Sequence, residues 1–431
     1  MVRTDPILFK FYPDLKDKVP WIPLLTNIPT PVDRLTELEK NFNLDKGKIF
    51  IKRDDKNHHI YGGNKLRKFE FIFGHVLKKK KRGIMTFGGI GTNHGLPCAI
   101  IAKMLEPPLR CELFLIPQPL TWHVQRSLLL FNFFGAKLHL SKGFYSTIFK
   151  AFFFRIFHPK HYIMLPGGSP LLGKGSALGM VGFINALFEL KEQMENGEIP
   201  EPDVIFVPGG SSGTSAGLIA GCKILGLKTK VHVVAVSEEI YVSVKNIIRD
   251  SNKALRYLEK CADNFPKIDI NENDFEFISG YLGSEYGAIT KKSQNTIDLV
   301  MELEGYKKDF KLETTYTGKA MAAMFDYLKQ QENKNKTILY WNTYNSNDLD
   351  KYLKETDFQY KKLPKKFHKL YEESKFQCWQ VVNCPEDTKK SCPAYLNHEY
   401  RFWKITDCLL DEQTQKKAID QLKDVIKLED A

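Results

Sequence analysis

The stretch Val207-Pro208-Gly209-Gly210-Ser211-Ser212-Gly213-Thr214-Ser215-Ala216-Gly217 decides how this chain is read. Residues 204–207 form an apolar run of strand character, the loop that follows is built of Gly, Ser and Thr, and a helix of small residues comes next. A loop of that composition at a helix start cradles a phosphate with backbone N–H groups and hydroxyls. It lacks the Lys of a Walker loop, and its glycines do not fall at the dinucleotide-binding spacing. The ligand it suits is a single phosphate held without a charged side chain.

The same alternation extends on both sides of this loop. Residues 48–53, 83–87, 111–116, 136–140, 230–236 and 337–341 read as further strands. Residues 65–78, 92–104, 179–194 and 215–225 read as the helices between them. Strands separated by helices of this length predict parallel α/β sheets. Two more glycine-rich turns sit at strand-to-helix junctions. In Tyr61-Gly62-Gly63-Asn64-Lys65-Leu66-Arg67-Lys68, paired glycines allow a tight turn and close approach by a ligand. Lys65 then opens a helix, whose positive N-terminal end favours the neutral amine that covalent chemistry at a carbonyl needs. Phe87-Gly88-Gly89-Ile90-Gly91-Thr92-Asn93-His94-Gly95 offers free N–H groups to an anion such as a carboxylate, or simply caps a helix through Thr92 or Asn93.

At 431 residues the chain is too long for one ordinary core, and 43% hydrophobic with 26% charged residues is a globular balance. The net charge of +12 includes Lys clusters at 78–82 and 361–369, without the aromatic-interleaved pattern of a nucleic-acid surface. A basic surface suits an anionic cofactor and carboxylate substrates. Residues 1–18 have no signal-peptide pattern, and the most apolar stretch, 143–157, is too short to span a bilayer. That stretch reads as an aromatic helix packed in a core, or alternatively as an interfacial helix. Eight Cys without a secretory signal suggest a reducing cytoplasm.

Taken in order and spacing, GGNKLRK, GGIGTNH, the GGSSGTSAG loop and Tyr316-Thr317-Gly318-Lys319-Ala320 resemble the D-cysteine desulfhydrase and 1-aminocyclopropane-1-carboxylate deaminase group. That group lies within the tryptophan synthase β-like, fold type II, pyridoxal-phosphate enzymes. Lesser matches are Pro29-Thr30-Pro31, Lys52-Arg53-Asp54-Asp55, Gly167-Gly168-Ser169 and Glu304-Gly305, and the resemblance runs from about Leu24 to Tyr344. It implies two open parallel-sheet domains, here expected as 1–50 with 170–346 for the large one and 51–169 for the small one. It implies pyridoxal 5'-phosphate as cofactor, a small amino acid as substrate and a homodimer. It makes Lys65 the Schiff-base lysine and the acid/base at Cα. Asn93 would bond the cofactor's phenolic oxygen, and Thr92 would lie beside the substrate carboxylate. Gly210, Ser211, Ser212, Gly213 and Thr214 would bind the phosphate, Tyr286 and Tyr316 would be active-site tyrosines, and Thr317 and Thr343 would lie by the pyridine nitrogen.

Two segments depart from the family pattern. Gly91-Thr92-Asn93-His94 stands where Gln-Ser-Asn-His is usual, and the added methyl of Thr92 crowds the substrate. Asn342-Thr343-Tyr344-Asn345 replaces a His-Thr-Gly-Gly ending. Thr317 occupies the position where the ring-opening deaminases carry Glu, so the resemblance leans towards β-elimination, D-cysteine giving pyruvate, ammonia and sulfide. The alternatives are a 1-aminocyclopropane-1-carboxylate deaminase and, in another class, a non-catalytic sensor that keeps the cofactor fold.

Composition changes after Asn345. Residues 347–375 read as a polar helical linker and 376–431 as an appended module. Cys378, Cys384, Cys392 and Cys408 lie close enough there to hold zinc or an iron–sulfur cluster, or to be buried free thiols.

Overall fold

The computed structural model describes residues 5–118, 122–168, 177–355 and 360–372. After two short helices at Ile7–Phe11 and Leu15–Lys18 come β1 (Val32–Arg34), β2 (Ile49–Lys52) and α1 (Asn64–Lys78). Next come β3 (Gly83–Gly89), α2 (Gly95–Met104), β4 (Arg110–Ile116), α3 (Trp122–Phe133), β5 (Lys137–Leu140), α4 (Phe144–Phe157) and β6 (His161–Ile163). They are followed by α5 (Leu178–Glu195), β7 (Val204–Gly209), α6 (Gly213–Ile224), β8 (Lys230–Ala235), α7 (Val244–Glu259) and β9 (Phe275–Ile278). Then come α8 (Lys291–Val300), α9 (Thr317–Leu328), β10 (Ile338–Trp341) and α10 (Asp350–Glu355), with short helical turns at Tyr360–Lys362, Lys365–Phe367 and Lys369–Glu372 after them.

The chain divides into two compact units. One joins the residues up to Lys81 with Met164–Asn347, and the other joins Arg82–Ile163 with the segment that begins at Asp348. The first unit holds a six-stranded sheet in the order β1-β2-β10-β7-β8-β9, parallel except for β1. Its central strands β10 and β7 are buried along their whole length, as strands covered on both faces must be. The small residues of α6 let it approach α5 closely: a Cβ at Gly217 would lie 2.5 Å from the Met180 carbonyl oxygen. The second unit holds a four-stranded, wholly parallel sheet in the order β5-β4-β3-β6.

The structure moves several expected boundaries. β2 pairs with β1 and β10, so the first unit extends through α1 to Lys81 rather than ending at residue 50. The stretch after Asp348 is not a free linker over its described part. Gln125 Nε2 donates to the Leu370 carbonyl at 2.8 Å, and the Tyr371 hydroxyl donates to the Gln125 carbonyl at 2.7 Å. Leu353, Leu363, Phe367 and Tyr371 are buried there, and the lysines between them hide that periodicity in the sequence. Strands β1, β6 and β9 are short and in part polar, and they owe their form to the neighbours they pair with. Helix α4 buries only Thr147 and Ala151 and leaves most of its aromatic residues in solvent, against the expectation of a core helix. Cys378, Cys384, Cys392 and Cys408 lie outside the described residues. Cys98, Cys111, Cys222 and Cys261 are free thiols, and no His/Cys/Asp/Glu group able to hold a metal occurs among the described residues.

Candidate active site

In a parallel sheet, ligand-binding loops leave from the carboxyl ends of the strands. β2, β10 and β7 are neighbours in the first sheet, so the turn before Lys65, the residues after Trp341 and the 210–214 loop emerge side by side. Hydrogen bonds tie the three together. The Asn64 N–H donates to the Thr343 carbonyl at 3.1 Å, and Asn64 Nδ2 donates to Thr214 Oγ1 at 3.2 Å. Lys65 Nζ donates to Asn64 Oδ1 at 3.1 Å. The turn needs its glycines. A Cβ at Gly62 would lie 1.8 Å from the Asp55 carbonyl oxygen, and Gly63 has φ of +108°. One turn past Lys65, Lys68 is buried and donates to the Gly167 carbonyl at 3.0 Å. Burial first, and the charge of Lys65 second, hold the Lys68 ammonium well below its usual range.

The 210–214 loop opens α6, whose first N–H groups have no carbonyl one turn back to bond. Ser212 Oγ is committed to Asp250, so the buried Ser212 can offer a ligand only its backbone. Ser237 Oγ holds the Gly210 carbonyl at 2.6 Å. Gly210 has no side chain because the Tyr316 ring lies there: a Cβ would sit 2.3 Å from its Cε1. The Tyr316 hydroxyl meets that of Tyr286, and burial raises both phenols above their ordinary range, Tyr316 the further. At neutral pH both therefore keep their protons.

Thr317 begins α9 and is wholly buried. Its hydroxyl accepts the Glu313 N–H at 2.8 Å, while the Glu313 carboxylate accepts the N–H groups of Thr315, Tyr316 and Thr317 at 2.8 Å each. Thr317 is thus part of a helix-start network that sets Tyr316. Sequence reasoning did not single out Glu313, although a carboxylate four residues before a helix's first residue is a recognisable cap.

In the second unit the Thr92 N–H donates to the Gly89 carbonyl at 3.0 Å, and Thr92 Oγ1 accepts the His94 N–H at 3.2 Å. This turn postpones α2 to Gly95, three residues later than the sequence pattern suggests. Asn93 lies at its tip, half-buried.

The model of the pyridoxal-phosphate dependent enzyme family matches residues 24–343. The chain belongs to that family. It is similar to a putative 1-aminocyclopropane-1-carboxylate deaminase of Thermotoga maritima, 29% identical over 73% of this chain and 93% of that one. It is equally similar to a D-cysteine desulfhydrase of Klebsiella pneumoniae, 29% identical over 72% of this chain and 89% of that one. A solved ACC deaminase homologue superposes with a TM-score of 0.63 at 26% identity, over 79% of this chain and 95% of that one.

The first unit of this pyridoxal-phosphate enzyme fits its cofactor in chemical kind. It presents a lysine amine, a helix start with free N–H groups and a glycine where an aromatic ring closes over the loop. Beneath the lysine turn lies a buried charge network that the sequence reading did not find. Arg67, on α1, donates to both Asp54 oxygens at 2.8 Å and to both Glu189 oxygens at 3.0 and 2.9 Å. Lys52 Nζ donates to Glu189 at 2.7 Å and Trp341 Nε1 to Asp54 at 2.7 Å. Burial alone would raise Glu189, but Arg67 and then Lys52 outweigh it and hold the carboxyl well below its usual range. The network links β2, β10, α1 and α5, and so fixes the start of the helix that carries Lys65. Its sequence signal is charged residues inside otherwise apolar runs, such as Glu189 in ALFELK.

Proposed function

We propose that this chain is a pyridoxal-phosphate dependent lyase that eliminates the β-substituent of a small amino acid, with D-cysteine as the substrate type. The observation that carries this reading is Thr317 at the start of α9, fully buried and engaged with Glu313, at the position where the ring-opening branch has a carboxylate. The 29% identity to a D-cysteine desulfhydrase supports it as well. Lys65 would hold the cofactor and then, with its amine released by the substrate, take the Cα proton. The cofactor, when bound, supplies the electron sink for the carbanion at Cα. The 210–214 loop would bind its phosphate through N–H groups and the Ser211 and Thr214 hydroxyls, and Thr343 would lie near its ring. Tyr316 and Tyr286, both protonated phenols, would give a proton to the departing sulfur. Thr92 and Asn93 would serve the substrate carboxylate and the cofactor's phenolic oxygen. The thiolate leaves as sulfide, and the aminoacrylate left behind hydrolyses to pyruvate and ammonia.

Purified protein reconstituted with pyridoxal phosphate should show the visible absorbance of lysine-bound cofactor. Lys65→Ala should abolish both that absorbance and turnover while leaving the far-UV circular dichroism unchanged. Sulfide release from D-cysteine should exceed keto-acid release from 1-aminocyclopropane-1-carboxylate. The reverse ranking would overturn the elimination reading in favour of the deaminase. Bound cofactor with no turnover of either would favour the sensor reading.

A further inference from the structure

Helix α4 carries a continuous apolar surface that the described chain does not cover. Tyr145, Phe149, Phe152, Ile156 and Phe157 are 86, 63, 61, 53 and 75% exposed. Their spacing of three, four and seven residues makes one broad stripe along the helix. The opposite side seats Ala151 on Met85 and Phe114 of the sheet. β3, β4 and β5 advance in one direction across the sheet, and the crossover from β5 to β6 returns past them. With right-handed crossovers, α4 therefore lies on the sheet face opposite α2 and α3. The described C-terminal segment packs on the α3 side, through Tyr371 and Gln125, and leaves the α4 stripe open.

The charge around this stripe has one sign. Arg82–Ile163 contains nine Lys and Arg against two carboxylates, a net +7 of the chain's +12. One of the two, Glu112, is nearly buried and bonded to His139 Nε2 at 2.7 Å. No Asp or Glu occurs between Glu112 and Glu189. Lys142, Lys150 and Lys160 are exposed on or beside α4, and Arg155 is half-exposed on it. A second copy placed two-fold on this face would set those cations against their own equivalents with no carboxylate between. An anionic surface answers both the stripe and its flanks. At 14 residues the helix is about 21 Å long, so it can lie in an interface and cannot cross one. No helix among the described residues is long and apolar enough to span a membrane.

We propose that α4 docks this enzyme onto an anionic lipid bilayer, with the aromatic stripe entering the headgroup–acyl boundary and Lys142, Lys150, Arg155 and Lys160 meeting lipid phosphates. The docking stands independently of the reaction assigned above. The test is flotation of the full, cofactor-loaded chain with vesicles of phosphatidylcholine alone or mixed with phosphatidylserine. Binding is expected to the mixed vesicles and to fall severalfold at high salt. Phe152→Glu together with Ile156→Glu should weaken it by roughly a hundredfold, with cofactor absorbance and circular dichroism unchanged. Lys142→Glu with Lys160→Glu should weaken it by about tenfold or more. Binding to neither vesicle overturns the proposal, and equal binding to both overturns the choice of an anionic surface. A dimer that Phe152→Glu with Ile156→Glu converts to monomer, in a protein that does not float, would assign the stripe to a second copy instead.

Discussion

Helices α1 and α4 are nearly the same length, 15 and 14 residues, and they invert the ordinary partition of side chains. α1 buries Arg67, Lys68 and Glu70, while α4 leaves Phe149, Phe152 and Ile156 in solvent. The charges of α1 are tolerated because the first unit supplies their partners: Asp54 and Glu189 for Arg67, and the N–H groups of Leu24 and Leu25 for Glu70 at 3.1 and 3.2 Å. A buried ion without such partners would cost several kcal/mol. The aromatic residues of α4 incur no such penalty, but they gain nothing from solvent, and folding alone does not account for them. The difference separates two kinds of anomaly: a buried charge is explained inside the molecule, and an exposed apolar stripe is explained outside it.

The sharpest way to break this comparison is to remove the partner that makes α1 acceptable. Arg67→Met should leave Asp54 and Glu189 buried with too few cations, at a cost of about 3–5 kcal/mol. Urea unfolding measures it, and a loss below about 1 kcal/mol would show that the network is not what holds α1. Because α1 begins at the Lys65 turn, the same variant should also loosen cofactor binding, seen as slower recovery of the visible absorbance on reconstitution.

A smaller effect per pH unit arises at the approach to the same helix. His58 is buried, and its Nδ1 accepts the N–H groups of Ile60 and Tyr61 at 3.1 and 3.3 Å, which requires the neutral ring. Burial, and then His59, push its pKa down to about 4, and burial and then Lys230 do the same for His232. The unfolded histidines take protons near 6.5, before the folded ones do. Stability is therefore full above about pH 6.5 and falls as pH drops towards 4, by about 1.4 kcal/mol per pH unit for each histidine. Denaturant titrations across that window check the slope. His232→Phe should flatten it by one histidine's share, and an unchanged slope would remove His232 from the account.

What could be read from the sequence follows the range of the interactions. β2, β3, β4, β7, β8 and β10 are apolar runs, and each declares itself locally. The Gly62–Lys65 turn and the 210–214 loop also carry their geometry in consecutive residues. The Arg67–Glu189 pair spans 122 positions, and no local pattern announces it. β1, with the sequence VDR, is a strand only because β2 pairs with it. The residues after Asp348 average out as polar, and only their positions on the second unit show which of them are core. Thr317 marks a limit of resemblance: its place beside Tyr316 follows from the motif, while its bond to Glu313 follows from this chain's own cap.

The smallest expected effect lies within α4 itself, and it sharpens the comparison most directly. Phe152 and Phe154 are two residues apart and face different surroundings. Phe152 is 61% exposed. Phe154 is half-buried, stacks on His158 at 3.9 Å between centroids and meets Phe114 edge-on at 5.6 Å. If the stripe has no role in folding, Phe152→Ser should change the unfolding free energy by no more than about 0.5 kcal/mol, the range of ordinary surface substitutions. Phe154→Ala removes ring contacts on the sheet and should cost roughly 1–3 kcal/mol, less than for a fully buried ring. Paired urea titrations in detergent-free buffer compare them. Equal losses for the two would mean that the outer face of α4 is covered in the folded protein in solution. The contrast between a helix explained from inside and one explained from outside would then collapse.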